Sequence, residues 1–143
     1  MKKPKIPRTR CSNTMTEGMF NTFIRSLLRR GSMRWRPVYE TLLEARMERG
    51  VYLCNECKNH VPASIKVNGK RLKNIIIDHR IPVVDPAEGR VDWNKFIDRL
   101  FCEKDNLQAL CLACHMKKST VEKNIAVERR RKEKEKEDNV KFQ

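Results

Sequence analysis

The sequence predicts an α+β protein, and three observations carry that expectation. Apolar residues in the first 50 positions recur with helical spacing. From Val51 onward, short β-like runs separated by turn residues replace them. Two Cys-x-x-Cys pairs, Cys54/Cys57 and Cys111/Cys114, bracket the 53 residues from 58 to 110. At 143 residues and 39% hydrophobic content, one domain with a modest apolar core is expected. Such a core gains from a further staple, and a metal is one of the usual ones.

Taken in order, residues 1–12 read as a flexible basic arm, with Pro4 and Pro7 and no periodic pattern. Residues 13–50 read as a basic helical extension. Thr16 can cap a helix running to about Arg30, with Met19, Phe20, Phe23, Ile24, Leu27 and Leu28 as one stripe and Gly31 as its end. Pro37 suits the first turn of a second helix, where Val38, Leu42, Leu43 and Met47 repeat and Gly50 is the stop. The two helices are expected to pack with their basic faces outward.

Residues 51–122 read as the core. "VYLCNEC" is a short strand bearing the first cysteine knuckle, and "SIKVNGKRLKNIIIDH" holds two strands joined by an Asn68-Gly69 turn. "VDWNKFIDRLF" places Trp93, Phe96, Ile97, Leu100 and Phe101 at helical spacing, and "NLQAL" is a compact strand. A last helix is expected from near Cys114. Its end, residues 123–143, is a charged helix or tail whose opposite charges sit four apart, as in Glu128/Lys132 and Arg129/Glu133.

Charge narrows the function classes. Thirty-two Lys+Arg against 18 Asp+Glu give a net charge of +14, which favours a phosphate-rich polymer as partner without separating DNA from RNA. No run of about 18 apolar residues is present, so no membrane span is expected, and the basic N-terminus is not followed by the apolar stretch of a secretory signal. The expected location is the cytoplasm, where paired cysteines favour metal over disulfide.

Two Cys-x-x-Cys pairs can converge as a four-thiolate tetrahedral zinc site, closed to further ligands and therefore structural. His60 could replace a thiolate, but Cys54, Cys57, Cys111 and Cys114 already complete the set; Cys11 and Cys102 stand outside it by spacing. The clasp ties the segment before "IIIDH" to the start of the last helix, which draws Asp78 and His79 toward His115.

"DH" at 78–79, "NLQALC" from 106 and "CxxCHxxK" from 111 to 118 stand in the order of the HNH endonuclease signature. Over residues 51–120 the chain resembles that family, and the two cysteine pairs make it similar to the phage-encoded branch. The resemblance implies a zinc-stapled ββα-metal (His-Me finger) core with helices before and after it. It implies a DNA endonuclease that nicks or cuts both strands through a single divalent metal, leaving 5′-phosphate and 3′-hydroxyl ends. His79 would be the general base, Asp78 and His115 the metal ligands, and Asn106 the residue fixing the loop that carries the base. These residue types suit the reaction. An imidazole, ordinarily of pKa about 6.5, can take a proton from water at neutral pH, and a carboxylate with an imidazole leaves most positions of a metal open.

Mg²⁺ is the expected ion, with Mn²⁺, Co²⁺, Ni²⁺ or Zn²⁺ tolerated by an imidazole ligand. Lys117, Lys118, Arg80, Arg29, Arg30 and Arg34 would hold phosphates rather than read bases. Adjacent strand residues point to opposite faces, so Asp78 and His79 share a site only if the strand breaks there, near Pro82. The 26 residues from 80 to 105 make a longer connection than the compact family pattern. Two other readings use the same residues: a zinc module that binds nucleic acid without cutting it, and a subunit of a phage DNA-processing assembly.

Overall fold

The computed structural model describes residues 5–90 and 92–141. The first four residues of the basic arm, Val91 and the last two residues of the tail lie outside them. The chain divides into two compact units, Met1–Trp35 and Arg36–Gln143.

In the first unit, α1 (Glu17–Ser32) begins where the sequence expects it. Thr16 has an extended backbone, and its hydroxyl accepts the Met19 N–H at 3.2 Å. Gly31 does not end this helix; it lies in the last turn, and Met33 caps the end in a right-handed conformation. Ahead of α1 the arm folds into a turn: Thr9 and Arg10 donate to the Met15 carbonyl, and Cys11, Ser12 and Asn13 all take positive φ. Arg10 reaches both the Glu17 carboxylate, at 2.6 Å, and the Phe20 ring. Of the predicted stripe, Met19, Phe23 and Leu27 are exposed, while Phe20, Ile24 and Leu28 are half-buried.

The second unit opens with α2 (Arg36–Ala45), Pro37 in its first turn. The sequence carries this helix to Gly50, but it stops at Ala45. Arg46–Glu48 becomes strand β1, pairing antiparallel with β2 (Val51–Leu53), and Gly50 turns between them at φ +78. Met47, expected on the helical stripe, therefore lies on a strand. Sheet pairing with Tyr52 and Val51 overrides the helical preference of "RME", as tertiary context commonly does. α2 is also not an extension ahead of the core. Its Ala45 packs with Ile75 and Ala109 in the buried cluster, with Leu42 and Tyr52 against it.

β3 (His60–Pro62) completes a three-stranded sheet in the order β1-β2-β3. β4 (Ser64–Val67) and β5 (Lys70–Lys73) form a separate two-stranded ribbon, with Asn68 and Gly69 at φ +48 and +76. Positive φ at both central residues is the tight hairpin turn that Asn-Gly predicts.

β6 (Ile75–His79) and β7 (Leu107–Cys111) pair antiparallel in full register, from Ile75↔Cys111 to His79↔Leu107. Every residue of β7 is buried. α3 (Trp93–Leu100), capped by the Asp92 carboxylate accepting from the Lys95 N–H at 2.9 Å, lies in the connection and buries Phe96 and Leu100. A short 3-10 turn, Lys104–Asn106, leads into β7. α4 (Leu112–Lys141) follows β7 without a break, two residues ahead of the expected start near Cys114, and continues as helix through the charged end. There Arg129 pairs with Glu133 at 2.8 Å and Lys132 with Glu128 at 3.6 Å. Arg129 also donates to the Pro86 carbonyl at 3.1 Å and packs over Gly89, whose φ of +83 suits glycine, so the connection is pinned to α4. Among the described residues no helix is long and apolar enough to cross a membrane.

Candidate functional site

Two knuckles build the metal site. Cys54 directly follows β2, Cys111 ends β7, and Cys114 lies in the first turn of α4. Asn55 locks the first knuckle to β7: its N–H donates to the Ala109 carbonyl at 2.8 Å, and its side-chain oxygen accepts the Ala109 N–H at 2.6 Å. The four sulfurs of Cys54, Cys57, Cys111 and Cys114 all fall within 4.8 Å of one another, and those of Cys57 and Cys111 are 4.0 Å apart. A tetrahedral zinc with bonds of about 2.3 Å sets its thiolates about 3.8 Å apart, so the quartet fits with little contraction.

The electrostatics agree with a cation there. Burial opposes the Cys54 thiolate, yet the backbone N–H groups of Cys111, Cys57 and Glu56 outweigh it and bring its pKa from 9.0 to about 6. Cys114 moves the other way, to about 12, through burial, hydrogen bonds from Cys111, Cys57 and Cys54, and the Cys54 charge. One thiolate is easily formed and its neighbour strongly resisted. A cation among the sulfurs would favour both of these thiolates at once.

The second constellation gathers at the other end of the β6–β7 pair. Asp78, half-buried, lies opposite Gln108 in the register. Its Oδ1 is 3.9 Å from His115 Nε2 on α4, and its Oδ2 accepts from Gln108 Nε2 at 3.1 Å and Lys118 Nζ at 2.9 Å. Adjacent ligand positions on a divalent ion with bonds of about 2.1 Å lie about 3.0–3.4 Å apart, so Asp78 and His115, at 3.9 Å, would close by about 0.5–0.9 Å to share one.

Lys118, expected to face phosphate, is turned inward. Its ammonium donates to Asp78 Oδ2, to Glu122 Oε1 at 2.6 Å and to the His79 carbonyl at 2.9 Å, which uses all three N–H bonds. Burial disfavours this charge, but Glu122 and Asp78 more than offset that and raise its pKa above the ordinary lysine value.

β6 does not break between Asp78 and His79, as a site shared by both side chains would require. The ladder runs through His79↔Leu107, and the strand ends only after His79. The two side chains accordingly take different partners. His79 Nε2 lies 3.1 Å from the Leu100 carbonyl at the end of α3. A carbonyl only accepts, so Nε2 carries the proton, and in the neutral ring the lone pair is on Nδ1. Asn106 clamps the turn beyond. Its side-chain oxygen accepts the Ile81 N–H at 2.9 Å, its amide donates to the Ile81 carbonyl at 3.3 Å, and its own carbonyl accepts the Arg80 N–H.

Arg80 is exposed and reaches Gln108 Oε1 at 3.4 Å. Lys117 is exposed on α4, beside a cleft of about 530 Å³ lined by Glu56, Gln108, Lys118 and Val121. Arg29, Arg30 and Arg34 belong to the first unit, exposed at and just beyond the end of α1.

Sequence reasoning missed three participants. Glu122 was legible as the partner four residues beyond Lys118. Gln108 and the Leu100 carbonyl carry no sequence signal, because only the register of β6 on β7 and the docking of α3 bring them in. No family model, no curated protein and no solved structure matches this chain.

Proposed function

We propose that the second unit is a metal-dependent HNH-type DNA endonuclease, its β6–β7–α4 segment serving as the ββα-metal finger and the four cysteines as its structural zinc clasp. The observation that carries this reading is the approach of Asp78 to His115 at 3.9 Å, across 36 intervening residues from 79 to 114, at the end of a strand whose last residue is His79. Asp78 Oδ1 and His115 Nε2 are the donors that would hold a divalent cation, which supplies positive charge for the phosphoryl oxygens.

His79 Nδ1 takes the proton from the attacking water. The Leu100 carbonyl fixes the tautomer this requires, and the imidazolium that forms is stabilised by the same acceptor at the C-terminal end of α3. Asn106 holds the Arg80–Ile81 backbone so that His79 keeps its place. Lys118 and Gln108 orient Asp78 through Oδ2 and leave Oδ1 facing His115. The excess positive charge binds the DNA backbone.

Two observations favour a second reading, and the first is that β6 runs unbroken through His79, so that Asp78 and His79 point to opposite faces of the strand. The second is that Lys118 gives Asp78 a structural partner that needs no metal, as in a zinc-stapled module that binds nucleic acid without cutting it. A plasmid-nicking assay with and without Mg²⁺ separates the two. His79→Ala should keep zinc and DNA binding while cleavage falls by about 10²- to 10⁴-fold. Asp78→Ala and His115→Ala should instead regain activity as the metal concentration rises. If His79→Ala cuts like the parent at every metal concentration, the base assignment fails and the binding module is preferred.

A further inference from the structure

The β4–β5 ribbon has a composition that its own fold does not explain. Pairing of Ser64↔Lys73, Ile65↔Leu72, Lys66↔Arg71 and Val67↔Lys70 sorts its side chains onto two faces. One face carries Ser64, Lys66, Arg71 and Lys73; the other carries Ile65, Val67, Leu72 and Lys70. The whole segment 63–74 has no acidic residue. Every residue of β5 is exposed, and so is Lys66. Among the described residues none of Lys66, Lys70, Arg71 and Lys73 forms an ion pair.

Lys66 and Arg71 stand directly opposite each other, an arrangement that destabilises a sheet. An isolated two-stranded hairpin is itself marginal in water. This one is nevertheless firmly rooted. Asn74, buried at its base, donates from its side chain to the Pro62 carbonyl at 3.0 Å and from its backbone to the Ala63 carbonyl at 2.8 Å. Its carbonyl and side-chain oxygens both accept the Leu112 N–H, next to the metal-site residue Cys111. The outcome is an anchored arm whose cationic face has no acidic partner among the described residues, its one side-chain bond there being Arg71 Nε donating to Ser64 Oγ at 3.0 Å.

We infer that the β4–β5 ribbon is a docking element for duplex nucleic acid, with Lys66, Arg71 and Lys73 contacting phosphates on either side of a groove. A two-stranded ribbon matches the width of a major groove of about 12 Å. The segment holds no Phe, Tyr or Trp, the rings on which single-stranded bases stack, so a duplex fits better than a single strand. Five residue steps of about 3.3 Å rise each lead from Asn74 to His79, so the ribbon would grip the duplex within a few base pairs of the proposed cleavage site. That last point rests on the nuclease reading; the docking itself does not.

The test compares the full chain with Lys66→Gln/Arg71→Gln/Lys73→Gln and with the charge-keeping Lys66→Arg/Arg71→Lys/Lys73→Arg. Fluorescence anisotropy on a labelled duplex is followed over roughly 50–200 mM salt, with zinc content as the check on folding. The glutamine variant should retain zinc but lose affinity. Its slope of log affinity against log salt should flatten by about 2 to 3, near 0.9 per lost phosphate contact. The charge-keeping variant should follow the parent.

A zinc-loaded glutamine variant with the parent's slope and affinity overturns the inference. So does a loss confined to single strands or to vesicles of phosphatidylcholine and phosphatidylserine, and so does a parent that binds no duplex. Plasmid nicking by the parent keeps the two proposals apart. If the parent cuts and the slope is unchanged, only the ribbon fails; if the slope flattens but the parent never cuts, only the nuclease reading fails.

Discussion

The molecule contains two antiparallel ribbons that look alike as topology and differ in almost everything else. β6–β7 is buried along all of β7, packed against α2 and α4 and closed at one end by the cysteine quartet. β4–β5 is exposed along all of β5, has four cations and no acid, and is held by its Asn68-Gly69 turn and its Asn74 root. Hydrogen-bonded pairing is common to both, so pairing cannot account for the difference. Burial and the cysteine quartet carry the first ribbon, and turn chemistry carries the second. The second therefore leaves its cations without ion pairs among the described residues, although Arg71 donates to Ser64 Oγ, whereas the first uses its interior side chains as core and places Asp78 and His79 at its open end.

The comparison breaks most severely at the quartet. Cys111→Ser should lose zinc and unfold the second unit, because structural zinc contributes about 10–16 kcal/mol in small metal-folded peptides. Elemental analysis with circular dichroism would detect both losses together. Leu110→Ala, in the same strand and 2% exposed, should cost about 2–5 kcal/mol in chemical denaturation while zinc is retained. Asn74→Ala joins the two ribbons' fates. Losing a buried amide that serves Pro62 and Leu112 should cost about 1–3 kcal/mol, with hydrogen exchange rising first in β4–β5. The smallest effect has the opposite sign. Lys66→Thr, which removes the like-charge pair with Arg71, should leave the melting temperature unchanged or raise it by the equivalent of about 0.2–1 kcal/mol. A loss of stability there would mean that the exposed ribbon is held by more than its turn and root.

Legibility followed the range of the interaction. Thr16 as a cap, Asn68-Gly69 as a turn and the charged pairs of α4 depend on residues within four positions, and the sequence places each of them. The cysteine quartet was legible over a longer span because two Cys-x-x-Cys knuckles together supply the four soft ligands that a tetrahedral zinc requires. α2 was read four residues too long, since its end depends on β2 pairing with Arg46–Glu48, and helical periodicity carries no information about that.

What the sequence determined by itself is the inventory: an α+β chain with a metal clasp, a strong positive charge and a set of Asp, His and Asn side chains in a meaningful order. Only the tertiary structure decided how that inventory is arranged. It brought Asp78 to His115, set the Leu100 carbonyl against His79, turned Lys118 inward onto Asp78, and assigned α2 to the core. It also kept β6 intact through His79, so that the two adjacent side chains meet different neighbours. The physical reason is register and docking. Local rules fix which residues share a helix turn or a strand face, but which residue lies opposite depends on how distant apolar surfaces are buried together.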